Sequence, residues 1–323
     1  MDNSSVKFEL IHSIVTKEGN LQNVKELCEI AGVSRSGYYN WVASADKREQ
    51  KEAQDRADFD LILQAYNFRG YDKGIRGIYM RLLHLDPPVV MNLKKIQRLM
   101  HKYNLFCPIR KANPYRRMAK DMRTDCVFEN ILNREFKEHG PRKVLLTDIT
   151  YIPYCGIFCY LSVIIDAFTK QALAYVLSES LELDFVLETV QSLIDKHGVS
   201  LDADTLIHSD QGCHYTSKKF RQIVKDSELR QSMSRRGCCW DNAPQESFFG
   251  HMKDEIGVKI SVAESFLEVQ TIIDDWMDYY NRERYQWELA KLSPDEYYSY
   301  ILTGHYPLPL TSPAIDSAPK NAE

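Results

Sequence analysis

The pattern that most restricts the fold begins after Pro141. Val144 to Thr150 is an apolar, β-branched run, Tyr160 to Asp166 is a second, and Ala172 to Leu177 is a third. Runs of this length and composition predict buried strands. Short connections at Tyr154-Cys155-Gly156 and Phe168-Thr169-Lys170 join them as hairpins. The pattern then alternates: a helix over 183–197, a strand over 205–209, a helix over 217–226, a short strand over 229–233 and a helix over 243–255. A further helix over 264–280 ends in Trp276, Tyr279 and Tyr280.

Three antiparallel strands followed by alternating helix and strand predict a mixed five-stranded sheet with helices. This is the element order of an RNase H-like α/β core. The residues before it predict only helices. One helix covers 6–18, a second covers Val24 to Ile30, Ala31-Gly32-Val33 breaks the chain, and Ser34 caps a third through Tyr38, Tyr39 and Trp41. Helix, glycine-containing turn and capped helix is the helix-turn-helix plan. A charged helix over 45–68 leads to a turn with Gly70 and Gly74, and a helix over 75–83 stops at Asp86-Pro87-Pro88. Asn92 then caps a helix through Ile96, Leu99, Met100 and Tyr103, giving a second helix-turn-helix shape.

Charge is unevenly spread. The net charge of the 323 residues is −4. Met91 to Arg123 holds ten Lys/Arg and one acid, so this segment is +9 and the remainder −13. Lys94, Lys95 and Arg98 fall on the second helix of the second helix-turn-helix. Arg116 and Arg117 fall in a basic linker over 107–125, where Pro108 and Pro114 discourage helix. A local cationic segment neutralises phosphates, so the pattern points to double-stranded DNA. No apolar run approaches the ~20 residues of a membrane helix, and the N-terminus has no secretory pattern. The eight cysteines then read as reduced thiols of a cytoplasmic protein, nucleoid-associated when bound to DNA. None has the paired spacing of a structural zinc site.

Three acids stand out. Asp148 falls in an otherwise apolar strand, where a carboxylate is costly unless paired or bound to metal. Asp210 lies just past the fourth strand, in His208-Ser209-Asp210-Gln211-Gly212. Glu246 lies on the first turn of a helix that Pro244 suits as a start. Strand ends and a helix N-terminus can bring such acids together. Carboxylates are hard ligands and suit two Mg²⁺ (or Mn²⁺) ions about 4 Å apart, a pair that activates an attacking oxygen and stabilises a leaving one. Lys253, seven residues after Glu246, returns to the same helix face and is placed to hold a phosphate. Asn242 and Gln211 are short polar neighbours, and Trp240 is a candidate to stack on a base.

Thr147-Asp148-Ile149-Thr150-Tyr151, the stretch from Tyr160 to Asp166, His208-Ser209-Asp210-Gln211-Gly212, and Ser232 to Gly237 running into Asp241 to Phe249 resemble the OrfB-type transposases of bacterial insertion sequences. These belong to the DDE integrase and transposase superfamily. Tyr279-Tyr280-Asn281, Arg284 and Ser293-Pro294 look like the family's C-terminal signature, and Gly32 to Tyr39 like its entry segment. The resemblance spans roughly residues 20–300. It implies Asp148, Asp210 and Glu246 as the catalytic and metal-binding triad, with metal-dependent cleavage at element ends and strand transfer by a 3′-OH. Arg235, Arg236, Asn242 and Lys253 then join the basic residues above as expected DNA contacts. A small OrfA partner or a fusion with it, and a homo-multimer on DNA, are implied as well. Leu145 stands where the family often has Trp, and Cys213, Cys238 and Cys239 replace small or polar residues.

The expected organisation is a helix-turn-helix-like segment over 1–50, a second helical DNA-binding segment with its linker over 51–125, the catalytic core plus C-terminal helix over 126–300, and a mobile tail over 301–323, with loose chain from Tyr306. Because it begins near where OrfB usually begins, the chain is expected to lack the main end-recognition domain. Two other classes compete with the transposase: a DNA-binding regulator with a dead core, and a nuclease that cuts without joining. The first would show a lost acid, and none is lost. The second uses the same metals and separates only by its product.

Overall fold

The computed structural model describes residues 4–17, 23–71, 73–108, 139–234 and 243–309. Arg116, Arg117, Arg235, Arg236, Trp240 and Asn242 lie outside the described residues. The chain opens with α1 (Ser4–Val15), α2 (Val24–Ala31) and α3 (Arg35–Ala43). Asn23 caps α2 by accepting from the Glu26 amide, and Ser34 caps α3 by accepting from the Gly37 amide. Ile11, Leu27, Cys28 and Tyr38 close a small core between the three helices.

The next helices are α4 (Ala45–Asn67), α5 (Ile75–Leu83) and α6 (Leu93–Lys102), packed on Ile62, Ile78, Leu82, Ile96 and Leu99. Here the charge pattern takes an unexpected route. Lys95 pairs with Asp58 at 2.5 Å, Arg98 with Asp55 at 2.6 Å, and Lys102 with Asp55 at 2.9 Å and with Glu52. Asp55 and Asp58 are buried acids of α4. Cations that read from sequence as phosphate contacts are therefore also ion-pair partners of α4, with the side chains of Lys95 and Arg98 still 37% and 47% exposed. A positive count along one segment says nothing about acids that a neighbouring helix brings across. Lys94 stays exposed.

The sheet follows: β1 (Val144–Tyr154), β2 (Ile157–Asp166), β3 (Ala172–Ser178), α7 (Asp184–His197), β4 (Leu206–Ser209), α8 (Cys213–Thr216), α9 (Lys218–Asp226) and β5 (Arg230–Met233). The strand order is β3-β2-β1-β4-β5. β1–β2 and β2–β3 are antiparallel, whereas β1–β4 and β4–β5 are parallel. This is the mixed five-stranded sheet expected of an RNase H-like core. β1 and β2 run longer than the hydrophobic pattern indicates, because Cys155 (φ 46°) and Gly156 (φ 77°) form a two-residue turn that keeps the strands paired to their tips.

Behind the sheet lie α10 (Ala243–Ser261), α11 (Phe266–Arg282) and α12 (Pro294–Thr303). One sheet face, with Leu146, Ile152 and Val163, packs on Phe248, Met252, Ile256 and Trp276 of α10 and α11. The other, with Leu145, Ile164 and Leu173, packs on Phe185, Val190 and Phe220 of α7 and α9. Arg284 pairs with Glu255 at 2.8 Å, and Trp276 donates its indole N–H to the same carboxylate, which locks α10 to α11. The helix α12 was not expected from sequence, although its capping box, Ser293 with Glu296, is legible there. The chain from Tyr306 to Pro309 is not loose either. Tyr306 donates to the Ala290 carbonyl, and Leu308 is buried with Leu83 and Leu292.

The α4–α6 unit meets the core through Leu83, packed with Leu292 and Leu308, through Arg81 and His84, which reach Tyr285 and Glu296, and through Arg69. Arg69 reaches Asp275 at 3.0 Å, Asp278 at 3.3 Å and Glu283 at 2.5 Å, all at α11 or just past it. Tyr71 adds a hydrogen bond to Asp275 at 2.7 Å.

Candidate active site

Side chains alternate along β1, so Asp148 shares the face of Leu146 and Ile152, the face covered by α10. β1 pairs with β4 only from Val144 to Leu146, with Leu146 beside His208. Two residues further on, parallel register brings Asp148 level with Asp210, where β4 has just ended at Ser209. The mouth of the site is thus the carboxyl end of two adjacent parallel strands, where α/β sheets open a crevice.

Glu246 arrives from the other side. It is exposed on the first turn of α10, whose inner face buries Phe248, Phe249 and Met252. Its neighbour Gln245 is fully buried and donates its Nε2 to the Val163 carbonyl at 3.3 Å. Val163 is the residue of β2 directly opposite Asp148. This bond, with the packing of Phe248, Phe249 and Met252, sets the start of α10 over the strand position that carries Asp148.

The three acids are electrostatically coupled. Burial, then the charges of Asp210 and Glu246, raise the Asp148 pKa to about 7, opposed by the Ile149 amide and by Lys253. The Ile149 amide donates to Asp148 Oδ1 at 2.8 Å. Asp210 Oδ1 accepts from the Gly212 amide at 2.8 Å, and a Cβ at Gly212 would lie 2.8 Å from that oxygen, so glycine keeps the turn open. Partial desolvation lowers the Lys253 pKa, and the Asp148 carboxylate opposes that shift. Tyr215, fully buried below, has its pKa raised by burial and by the Asp148 charge.

Behind Asp210 runs a hydrogen-bonded chain that sequence reading did not single out. His208 is fully buried and contacts Ser232 Oγ at 3.0 Å through Nδ1 and Ser234 Oγ at 3.1 Å through Nε2. Ser234 Oγ donates to the Ser209 carbonyl at 3.2 Å, so it accepts from His208, and Nε2 carries the proton. Nδ1 then accepts from Ser232. The chain ties β4, which delivers Asp210, to β5, which leads toward Glu246. The signal for His208 was the one that marked Asp148: a polar residue inside a buried strand.

A divalent cation fits this donor set. The donors are carboxylate oxygens, and burial together with the like charges of Asp210 and Glu246 holds Asp148 near pKa 7, a penalty that a cation removes. Among the described residues no three His, Cys, Asp or Glu side chains converge as a single-ion cluster.

Residues 138–239 match the integrase core domain family, and residues 227–294 match a second description of the integrase core domain. Fold and match together define the class: an RNase H-like integrase core. The chain is 30% identical to the InsK protein for insertion sequence element IS150 of Escherichia coli (strain K12), over 84% of this chain and 92% of that one. It is 28% identical to the 31 kDa protein of insertion element IS600 of Shigella sonnei, over 83% and 96%, and 26% identical to transposase InsF for insertion sequence IS3A of Escherichia coli (strain K12), over 85% and 93%. The catalytic core domain of BIV integrase is similar over 50% of this chain and 96% of that one, with 14% identity and a TM-score of 0.40. The chain belongs to the insertion-sequence transposases of the DDE integrase superfamily. No helix among the described residues is long and apolar enough to cross a membrane.

Proposed function

We propose that this transposase cuts double-stranded DNA at the ends of its insertion sequence and joins the freed 3′-OH to target DNA, using Asp148, Asp210 and Glu246 to hold two Mg²⁺ (or Mn²⁺) ions. The observation that carries this reading is the coupling of Asp148 to both other acids across three separate segments of chain. Bound there, the cations supply Lewis acidity for in-line displacement at phosphorus. The protein's part is to hold Asp148 through the Ile149 amide, to aim Asp210 through the Gly212 amide and the His208 chain, and to hold Glu246 in place through Gln245. Lys253 steadies a phosphate beside Asp148. Water is the attacking group in cleavage and the DNA 3′-OH in joining. In both, the displaced oxygen leaves opposite the attack.

Lys94, Arg116, Arg117, Arg235, Arg236 and Asn242 contribute DNA contacts. Lys95 and Arg98, each paired with an acid of α4 yet still solvent-accessible, contribute as well. The division into segments 1–50, 51–125, 126–300 and 301–323 is part of the same reading, as are a homo-multimer on DNA, an OrfA protein supplied separately or by fusion, and a cytoplasmic location. The test incubates the protein and OrfA with labelled element ends and Mg²⁺. The expected result is cleaved ends and a joined product with wild type and neither with Asp148→Asn. Full activity in Asp148→Asn would sink the proposal, and cleavage without joined DNA would reduce the protein to a nuclease.

A further inference from the structure

The catalytic helix α10 carries a glycine in its interior, Gly257, four residues after Lys253 and eleven after Glu246. A glycine inside a helix costs about 1 kcal/mol relative to alanine. Close packing does not require it, because a Cβ added at Gly257 would meet nothing within 4 Å. The missing side chain leaves open a groove of about 190 Å³ between α10 and the end of β1. Ile152, Pro153, Met252, Ile256 and Ile260 line it, and Lys253 is its one charged residue. Steps of seven and four residues keep Glu246, Lys253 and Gly257 on one helix face, so the groove lies on the face of α10 that carries Glu246.

We propose that this groove takes a single unpaired nucleobase from the DNA strand end, next to the reacting phosphate. The inference rests on the DNA-transferase reading above and adds to it a subsite with its own ligand. Two features choose the occupant. A cation at the end nearest the acids and an aliphatic slot beyond it match the two parts of a nucleotide, the phosphate and the base. The size matches as well: an apolar cavity of about 150 Å³ takes one benzene ring, so the groove suits one base and is too small for a docked helix. A base must leave its pair to enter, which is easiest at a strand end. A leucine at 257 would fill the slot, whereas the single methyl of alanine meets nothing within 4 Å and leaves it open.

The experiment uses the full chain and a duplex with three unpaired nucleotides at one end, the middle one 2-aminopurine. Transfer of that base from its stacked neighbours to an aliphatic slot raises its fluorescence. A rise of at least about three-fold is expected with wild type and with Gly257→Ala, and none with Gly257→Leu, whose side chain occupies the groove. The melting temperature of Gly257→Leu should equal or exceed that of wild type, so lost signal cannot be assigned to unfolding. An equal rise in Gly257→Leu, or no rise in wild type, overturns the inference. So does a change of oligomeric state in Gly257→Leu without a change in fluorescence, which would give the groove to a second copy of the chain. Joined product from wild type without a fluorescence rise defeats the groove and leaves the transferase standing. Absence of both, with OrfA, Mg²⁺ and an element-end duplex carrying the same unpaired nucleotides, defeats both.

Discussion

Two aspartates of this chain sit in opposite surroundings. Asp55, buried in α4, faces Arg98 and Lys102, and its pKa is driven far below the usual carboxylate range, with the Arg98 hydrogen bond as the largest cause. Asp148, half-buried on β1, faces Asp210 and Glu246, and its pKa is driven up to about 7. The first acid is complete within the protein and works as structure. The second is unfavourable in the protein by itself and becomes favourable only when a cation arrives. Whether a buried acid has been compensated separates scaffold from site more sharply than its burial does.

The hardest blow to this contrast comes from removing the site's charge. Asp148→Asn, Asp210→Asn or Glu246→Gln should each reduce DNA cleavage on the order of 10³-fold or more, measured by single-turnover assay, because each removes a ligand for which no neighbour substitutes. The Asp148 variant should fold at least as well as wild type without metal. Asp55→Ala should do the reverse. It should cost about 2 kcal/mol in urea unfolding through lost charge-assisted hydrogen bonds, with cleavage per folded molecule little changed.

Between these lies Gln245→Leu, which keeps the triad and removes its spacer. A drop of about 10- to 100-fold in cleavage, with weaker Mn²⁺ binding by calorimetry, is the expected result for a residue that orients a ligand. A wild-type Mn²⁺ affinity would show that α10 is set by its apolar face alone.

The two acids also predict opposite pH behaviour. Asp148 has a folded pKa above its unfolded value, so its contribution to stability is present below about pH 4 and is lost as pH rises through about 7. Asp55 has a depressed folded pKa, so its contribution is present above about pH 4 and is lost only in strong acid. In EDTA, the melting temperature of Asp148→Asn should therefore gain on wild type between pH 5 and pH 8, whereas the gap between wild type and Asp55→Ala should stay flat over that range. Parallel curves for Asp148→Asn and wild type would remove the like-charge argument. The smallest effect is expected at Lys94. Its replacement by alanine should weaken DNA binding about two- to three-fold and lower the salt slope by about one, with no loss of melting temperature. Lys95→Ala should act mainly on stability, through Asp58.

Much of the core was legible because β-branched runs, turn residues and helix caps are local signals. The five strands and most helices lie where those signals place them, and the resemblance named the acids. The misreadings also share a cause. Cys155-Gly156 extended a hairpin past its apolar pattern, Ser293 and Glu296 opened a helix that was not expected, and Leu308 anchored a supposedly loose tail. His208 and Gln245 were passed over because nothing adjacent in sequence says what they touch.

By itself, then, the sequence determined the order of elements and the family, and singled out Asp148, Asp210 and Glu246 as candidates, since these rest on residue type and short spacing. Tertiary structure decided how charge is distributed. It paired Lys95 and Arg98 with acids some forty residues away, set Asp148 level with Asp210 across parallel strands, and opened a groove at Gly257. The reason is physical: Coulomb energy and burial depend on distance in space, and no pattern along one segment records what another segment brings beside it.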